Sequence, residues 1–328
     1  MSQLSPFLEA LRAAFGDGRD KYAAHERSTP ILQDLAASPE AFTEILMRHL
    51  ALPDALTRMH YPVVSFDIEA NMYFGLVANC WIPRLGGGTN LSTKAIHHHG
   101  QMLLTTVTAF GPGYEHWLFT TPKVMDKATE MYTMGLVERV LHPTGHASFV
   151  DAHAAHVPFF PPSLSITFAL WSSCQPTSWK DSLKHVPALH KHSGKLRRIA
   201  ATIGFTRALD LNVPEYFDFF PTPEGFRGMK DRKEFERGPN EDYLYSLFHV
   251  IQGTLNEEVG QAIGSQLDVT PAQNRAIVER LLDDLTSGRP ITGRLSPGHS
   301  DVSFANFPGE PIERALDACA ARLSVPSP

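Results

Sequence analysis

Between residues 55 and 175 the chain is a series of short segments rich in β-branched and aromatic residues, separated by turns rich in glycine and proline. Gly86-Gly87-Gly88 and Gly111-Pro112-Gly113 are typical of such turns. Segments of this length, repeated at this spacing, predict a β-sandwich or barrel. The predicted strands are 62–68, 72–82, 95–110, 116–120, 136–141, 147–150 and 164–171, with 121–134 forming either a short helix or a long loop.

Helical patterns flank this region on both sides. Near the N-terminus, Leu8, Leu11 and Phe15 share one helix face, and Ser38-Pro39 resembles an N-cap followed by proline at the first helical position. Towards the C-terminus, apolar stripes recur in 244–263, 277–285 and 312–323, after an irregular stretch at 214–239. We therefore expect an α+β protein with an N-terminal helical segment at 1–53, a β-barrel at 54–177 and a mainly helical region at 178–328.

Composition limits the class of protein. The chain has 328 residues, of which 43% are hydrophobic, so it can bury a sizeable core. Its 29 Lys and Arg against 35 Asp and Glu give a net charge of −6, which argues against nucleic-acid and membrane partners. Three dispersed cysteines exclude a disulfide framework and a four-cysteine zinc site. With neither a secretory signal nor a long apolar run in the sequence, we expect a cytoplasmic protein.

The histidines are unevenly distributed. Eight of the 16 lie between positions 97 and 156: His97, His98, His99, His116, His142, His146, His153 and His156. Side chains alternate along a strand, so His97 and His99 point to one side and His98 to the other. If this strand lines a barrel, two imidazoles meet at one interior point, and a third ligand completes a metal site.

This region resembles the cupin superfamily over residues 60–175. In the first cupin motif, His97-x-His99 and Gly111 match, while Leu103 or Leu104 replaces the glutamate. In the second motif, Gly145 and His156 match at the family's spacing, whereas Asp151, His153 and Phe160 depart from it. The resemblance implies a jelly-roll barrel with His97, His99 and His156 as metal ligands, and with His153 as the competitor for the third position.

The missing glutamate makes the chain similar to three-histidine cupins, which include cysteine dioxygenase-type thiol dioxygenases and diketone-cleaving dioxygenases. That similarity implies Fe(II) as the metal, with O2 and a small metal-chelating substrate as partners. Three neutral imidazoles would leave coordination positions open for both. Zn(II), Mn(II) or Ni(II) in an isomerase, lyase or hydrolase is the alternative, and a non-enzymatic ligand-binding cupin is the second.

Further candidates surround this group. His153 and Glu115 are candidate acid/base residues. Glu115 or His116 could instead be a fourth ligand, but the sequence favours a surface turn for both. Arg84 and Arg139 are candidates for gripping a substrate carboxylate, and Tyr114 and Trp117 for contacting the substrate. His142 and His146 flank a turn, where we expect exposure to solvent.

The remaining sequence offers no competing enzyme motif. It has no P-loop, no GxGxxG after a strand and no GxSxG elbow. The C-terminal helices could form a lid over the barrel or a homodimer interface, and the sequence does not choose between them.

Overall fold

The computed structural model describes residues 2–59, 63–82, 96–177, 217–222, 224–229, 239–255 and 257–291. The candidate substrate residue Arg84 lies outside the described residues, as do Gly86-Gly87-Gly88 and the 312–323 stripe. The helices are α1 Ser5–Phe15, α2 Lys21–Ala36, α3 Pro39–Leu50, α4 Asn240–Thr254, α5 Glu257–Gln266 and α6 Arg275–Thr286. The strands are β1 Val64–Ala70, β2 Gly75–Trp81, β3 Ile96–His98, β4 Met102–Phe110, β5 Glu115–Phe119, β6 Lys123–Asp126, β7 Met131–Thr133, β8 Leu136–Leu141, β9 Ala147–Val150, β10 His156–Pro158, β11 Ser165–Ser173, β12 Phe217–Thr222 and β13 Gly225–Met229.

The strands form two antiparallel sheets. One has five strands in the order β1-β2-β11-β4-β9, and the other has eight in the order β6-β7-β13-β12-β3-β10-β5-β8. The edge-to-face contact of His99 with Trp171 of β11, at 4.7 Å between ring centroids, joins the two sheets across a shared interior. The predicted α+β class, a β-barrel flanked by helices, is confirmed.

The main core lies between the helices and the outer face of the five-stranded sheet. The predicted apolar faces of α1 and α3 are buried there, and Ser38 caps α3 by accepting a hydrogen bond from the Ala41 amide. Helices α4 and α6 pack into the same core through residues such as Phe248 and Leu281. Apolar burial, worth roughly 25 cal/mol per Å², therefore holds both helical segments to this sheet.

Helix α2 has no clear apolar stripe, and polar groups attach it to the sheet. His25 is 1% exposed, and its Nδ1 and Nε2 atoms lie 2.7 Å from Thr105 Oγ1 of β4 and 2.9 Å from Ser172 Oγ of β11. Each buried ring nitrogen thus has a hydrogen-bond partner, which offsets the cost of removing the imidazole from water.

The predicted strand 95–110 is divided into β3 and β4, β10 was not predicted, and two longer segments also differ from the expectation. Residues 121–134 contain the paired strands β6 and β7, in place of the expected short helix or long loop. The stretch at 214–239 includes the hairpin of β12 and β13, whose strands pair with β3 and β7. Strand pairing with the barrel sheet outweighs the weak local signal in both segments. The three-part division of the chain stays a prediction, although two strands beyond residue 177 belong to this sheet.

None of the helices among the described residues is long and apolar enough to cross a membrane.

We expect His25→Leu to lower the free energy of unfolding at pH 8 by about 2–4 kcal/mol, because Thr105 and Ser172 lose their buried partner. Burial lowers the pKa of His25 to about 4 from 6.5. Below pH 6.5 the unfolded chain binds a proton that the folded chain does not, so His25 itself destabilises the fold progressively between pH 6.5 and 4. The variant should consequently lose stability less steeply than wild type as pH falls through that range.

Denaturant titrations at several pH values would measure both effects. Tyr22→Phe is the control, since Tyr22 lies on the same helix with 48% of its surface exposed, and it should change stability by less than about 1 kcal/mol. A His25→Leu variant as stable as wild type at pH 8 would contradict the anchoring role.

Candidate metal centre

The site is built on the short strand β3, which is paired along both edges. On one edge His97 is opposite His156 of β10, and on the other it is opposite Asp218 of β12. Directly opposed residues of an antiparallel pair project to the same face. Backbone pairing therefore places His156 beside His97, although 58 positions separate them in the sequence.

His97, His99 and His156 converge on one point. One ring nitrogen from each lies within 4.8 Å of the others, and the three centroid separations are 4.8, 4.4 and 4.6 Å. All three are buried, with exposures of 3%, 6% and 3%. Three ring nitrogens this close together, shielded from water, could hold a metal ion.

His156 is prepared to bind through Nε2. Its Nδ1 lies 3.3 Å from the Ala154 carbonyl oxygen. A carbonyl can only accept, so Nδ1 carries the proton and Nε2 presents a lone pair. Burial lowers the pKa of His156 to about 4, which keeps the ring neutral at physiological pH. A neutral imidazole is the form that binds metals.

His98 and His153 lie together on the opposite side of β3. His98 stacks on Phe217 at 5.6 Å with an interplanar angle of 4°, and its Nδ1 accepts a hydrogen bond from the Gly100 amide. His153 contacts His98 at 5.5 Å and adopts a left-handed backbone with φ of 60°. Of the two candidates for the third position, the structure brings His156, not His153, to His97 and His99.

A row of further histidines leads away from His156 along the interior. His116 contacts His156 edge-on at 5.1 Å, His142 lies 5.3 Å from His116, and His146 lies 4.9 Å from His142. His116 and His142 are 2% and 0% exposed, so the expectation of a surface turn and solvent exposure is wrong for both. The reason is the alternation of side chains along a strand. Val140 of β8 pairs with His116 and faces the same side, and His142, two residues further on, faces that side as well.

The turn before β5 closes this wall of the interior. Gly113 has φ of 83°, and a Cβ atom there would lie 1.7 Å from the His142 carbonyl oxygen, so only glycine fits. The close approach lets Tyr114 stack on His142 at 4.8 Å and 7°. Tyr114, a predicted substrate residue, is thus buried on the inner side, within 5.9 Å of His116.

The inner wall is polar, and His116 and His142 within it are held in the neutral form. Burial, followed by the neighbouring His156 and His142, holds the pKa of His116 well below 6.5, and burial with His146 lowers that of His142 to about 4. Within the part of the chain that the structure describes, His116 Nδ1 and both ring nitrogens of His142 have no hydrogen-bond partner. Buried polar atoms of this kind are normally satisfied by ordered water or by a ligand.

Three other candidates lie on the outer face. Glu115 is exposed and accepts a hydrogen bond from Trp117 Nε1, and the Arg139 guanidinium lies 3.9 Å from the centre of the Trp117 ring. Because His116 points inward, its neighbours on β5 point outward. The structure does not bring Glu115, Trp117 or Arg139 to the three-histidine group.

The departure from the four-ligand cupin pattern has a structural counterpart in β4. Thr105 faces outward to His25, so Leu104 faces the interior, where it packs with Val150 and Ala169. The position at which a carboxylate ligand would enter from β4 is therefore apolar. Trp171 and Leu118 extend the same apolar patch around the histidines.

Comparison with known proteins identifies similar structures but no family. No protein-family model matches the sequence, and no curated protein matches it. Among solved structures, oxalate oxidase in complex with the substrate analogue glycolate is 10% identical over 47% of this chain and 78% of its own, with a TM-score of 0.24. A cupin 2 conserved barrel domain protein from Salinispora arenicola CNS-205 is 9% identical over 35% of this chain and 80% of its own, with a TM-score of 0.22. Fe(II)-HppE with an alternative substrate is 14% identical over 33% of this chain and 48% of its own, also with a TM-score of 0.22.

We expect alanine at position 97, 99 or 156 to weaken the binding of a divalent metal by more than about 100-fold, because each substitution removes one of three converging nitrogens. Equilibrium dialysis with Co(II) would measure the dissociation constant. The matched controls are His98→Gln and His153→Gln, which alter histidines on the opposite side of β3 and should leave binding unchanged. Full metal binding by His99→Ala would contradict the assignment.

Proposed function

We propose that this protein is a mononuclear non-haem Fe(II) oxygenase that oxidises a small metal-chelating substrate with O2. The observation that carries the proposal is the convergence of three buried imidazoles, whose ring nitrogens are the only ligand atoms that meet at this point among the described residues. Fe(II) bound there would supply open coordination positions for a chelating substrate and for O2, and the electrons for activating O2.

The protein's own part begins with fixing the ligands. Strand β3 presents His97 from a position paired on both edges, and β10 presents His156 directly opposite. The Ala154 carbonyl oxygen holds His156 in one tautomer. Such outer contacts orient a ligand before the metal arrives, which favours a single coordination geometry.

The two walls of the interior have different parts. On the apolar side Leu104, Val150 and Trp171 exclude water from the histidines, which suits a reaction in which a reactive oxidant must not escape into solvent. On the polar side His116 and Tyr114 offer hydrogen-bonding groups to a substrate bound beside His156. The proposed substrate therefore has a chelating end and a polar group directed at this wall.

The direct test is anaerobic purification, reconstitution with one equivalent of Fe(II), and measurement of O2 uptake with a panel of chelating substrates such as hydroxy acids, thiol acids and diketones. We expect substrate-dependent O2 uptake with Fe(II) and none after replacement by Zn(II). His99→Ala should abolish uptake, and His98→Gln should preserve it.

Two outcomes would contradict the proposal. Substrate turnover in the absence of O2 with Zn(II), Mn(II) or Ni(II) would identify an isomerase, lyase or hydrolase. Ligand binding without turnover under any metal would identify a binding protein.

His116→Phe tests the polar wall. The variant keeps an aromatic ring of similar size but removes both nitrogens, so we expect metal binding to persist while kcat/KM falls about 10–100-fold, the loss of one or two hydrogen bonds to the substrate. Trp117→Phe, one residue along β5 on the opposite face, is the control and should leave kcat/KM unchanged. An unaltered kcat/KM in His116→Phe would contradict contact between this wall and the substrate.

A further inference from the structure

An acidic residue is paired with the strand of the three-histidine group from a part of the chain far from the histidines in sequence. Strand β12 pairs with β3 in a register that sets Phe217 opposite His98, Asp218 opposite His97 and Phe219 opposite Ile96. Across the eight-stranded sheet, pairing then continues from His97 to His156. Asp218, His97 and His156 accordingly form one row over three neighbouring strands.

Side-chain contacts establish which face Asp218 occupies. Phe217 stacks on His98, and Phe219 packs with Ile96 in the apolar cluster on the outer face. Since Phe217 and Phe219 both point outward, Asp218 between them points inward, to the side of His97. It is 5% exposed.

A negative charge beside the three histidines would stabilise a bound divalent cation. A divalent cation held by three neutral imidazoles keeps its full charge in a region shielded from water, and such a charge is costly to bury without an opposite one nearby. Strand β4 offers leucine where a carboxylate ligand could have entered. Directly opposed side chains have Cβ atoms about 4.5–5.5 Å apart, so the Asp218 side chain begins next to that of His97 on the same face of the sheet.

We propose that Asp218 is the acidic partner of the metal centre: from β12, beside His97, its carboxylate offsets the charge of a bound divalent cation and so raises the affinity of the three-histidine group for it. This inference rests on the metal site of the proposed function. Asp218 acts as a positioning and charge-balancing residue, since the converging ligand atoms are those of the three histidines.

The test is the dissociation constant for Co(II), measured anaerobically by chelator competition on the full chain. Asp218→Asn keeps the shape and removes the charge, so we expect binding about 10–100-fold weaker than in wild type. Asp218→Glu keeps the charge and should restore most of the affinity, which a purely structural role would not predict. Glu138→Gln is the matched control, because Glu138 is the exposed carboxylate at the far end of the same cross-strand row, through Leu118, and its loss should change nothing.

Thermal unfolding of the metal-free proteins separates charge from folding. We expect Asp218→Asn without metal to unfold within a few degrees of wild type; if it does not fold, Asp218→Ser, which removes the same charge in a smaller side chain, takes its place. Equal Co(II) affinity in wild type and the neutral variant would overturn this inference and leave the proposed function standing. Failure of wild type itself to bind Co(II) would overturn both.

Discussion

The candidate centre depends on the pairing of β3 along both of its edges. A three-residue strand has too few hydrogen bonds to hold a position alone, so β10 on one side and β12 on the other fix both its register and its facing. Because side chains alternate, that pairing sends His97 inward and His98 outward. A shift of one residue would exchange them and remove the metal site.

The two sheets have different roles in the structure. The five-stranded sheet carries the large apolar core and both sets of helices, so most of the burial that stabilises the chain lies on its outer face. The eight-stranded sheet carries the histidines on its inner face. The cost of burying these histidines is one that a metal and a substrate could offset.

Much of the secondary structure follows from local patterns. Helices α1 and α3 bury the predicted faces, and each predicted strand between 62 and 171 overlaps an observed one, because period and capping are local properties of the sequence. The predicted strand 95–110 is in fact two strands, and β6, β7 and β10 were not predicted. Helix α2 lies within the predicted helical segment 1–53, but its bounds were not predicted because its buried face includes Lys21, His25 and Ser28. Strand β12 was missed although Phe217 and Phe219 alternate with Asp218, since proline and charge dominate that stretch.

The sequence by itself determined that His97 and His99 share a face, that the barrel is flanked by helices, and that no glutamate follows the histidine pair, since alternation and motif spacing need only neighbouring residues. The resemblance to the second cupin motif favoured His156 over His153 as the third residue of the group, and the structure brings His156 there. The tertiary structure alone decided that His116 and His142 are buried and that Asp218 is paired opposite His97. Each of these depends on the register between strands distant in the chain. Register is set by the packing and hydrogen bonding of the whole sheet, which no short segment specifies.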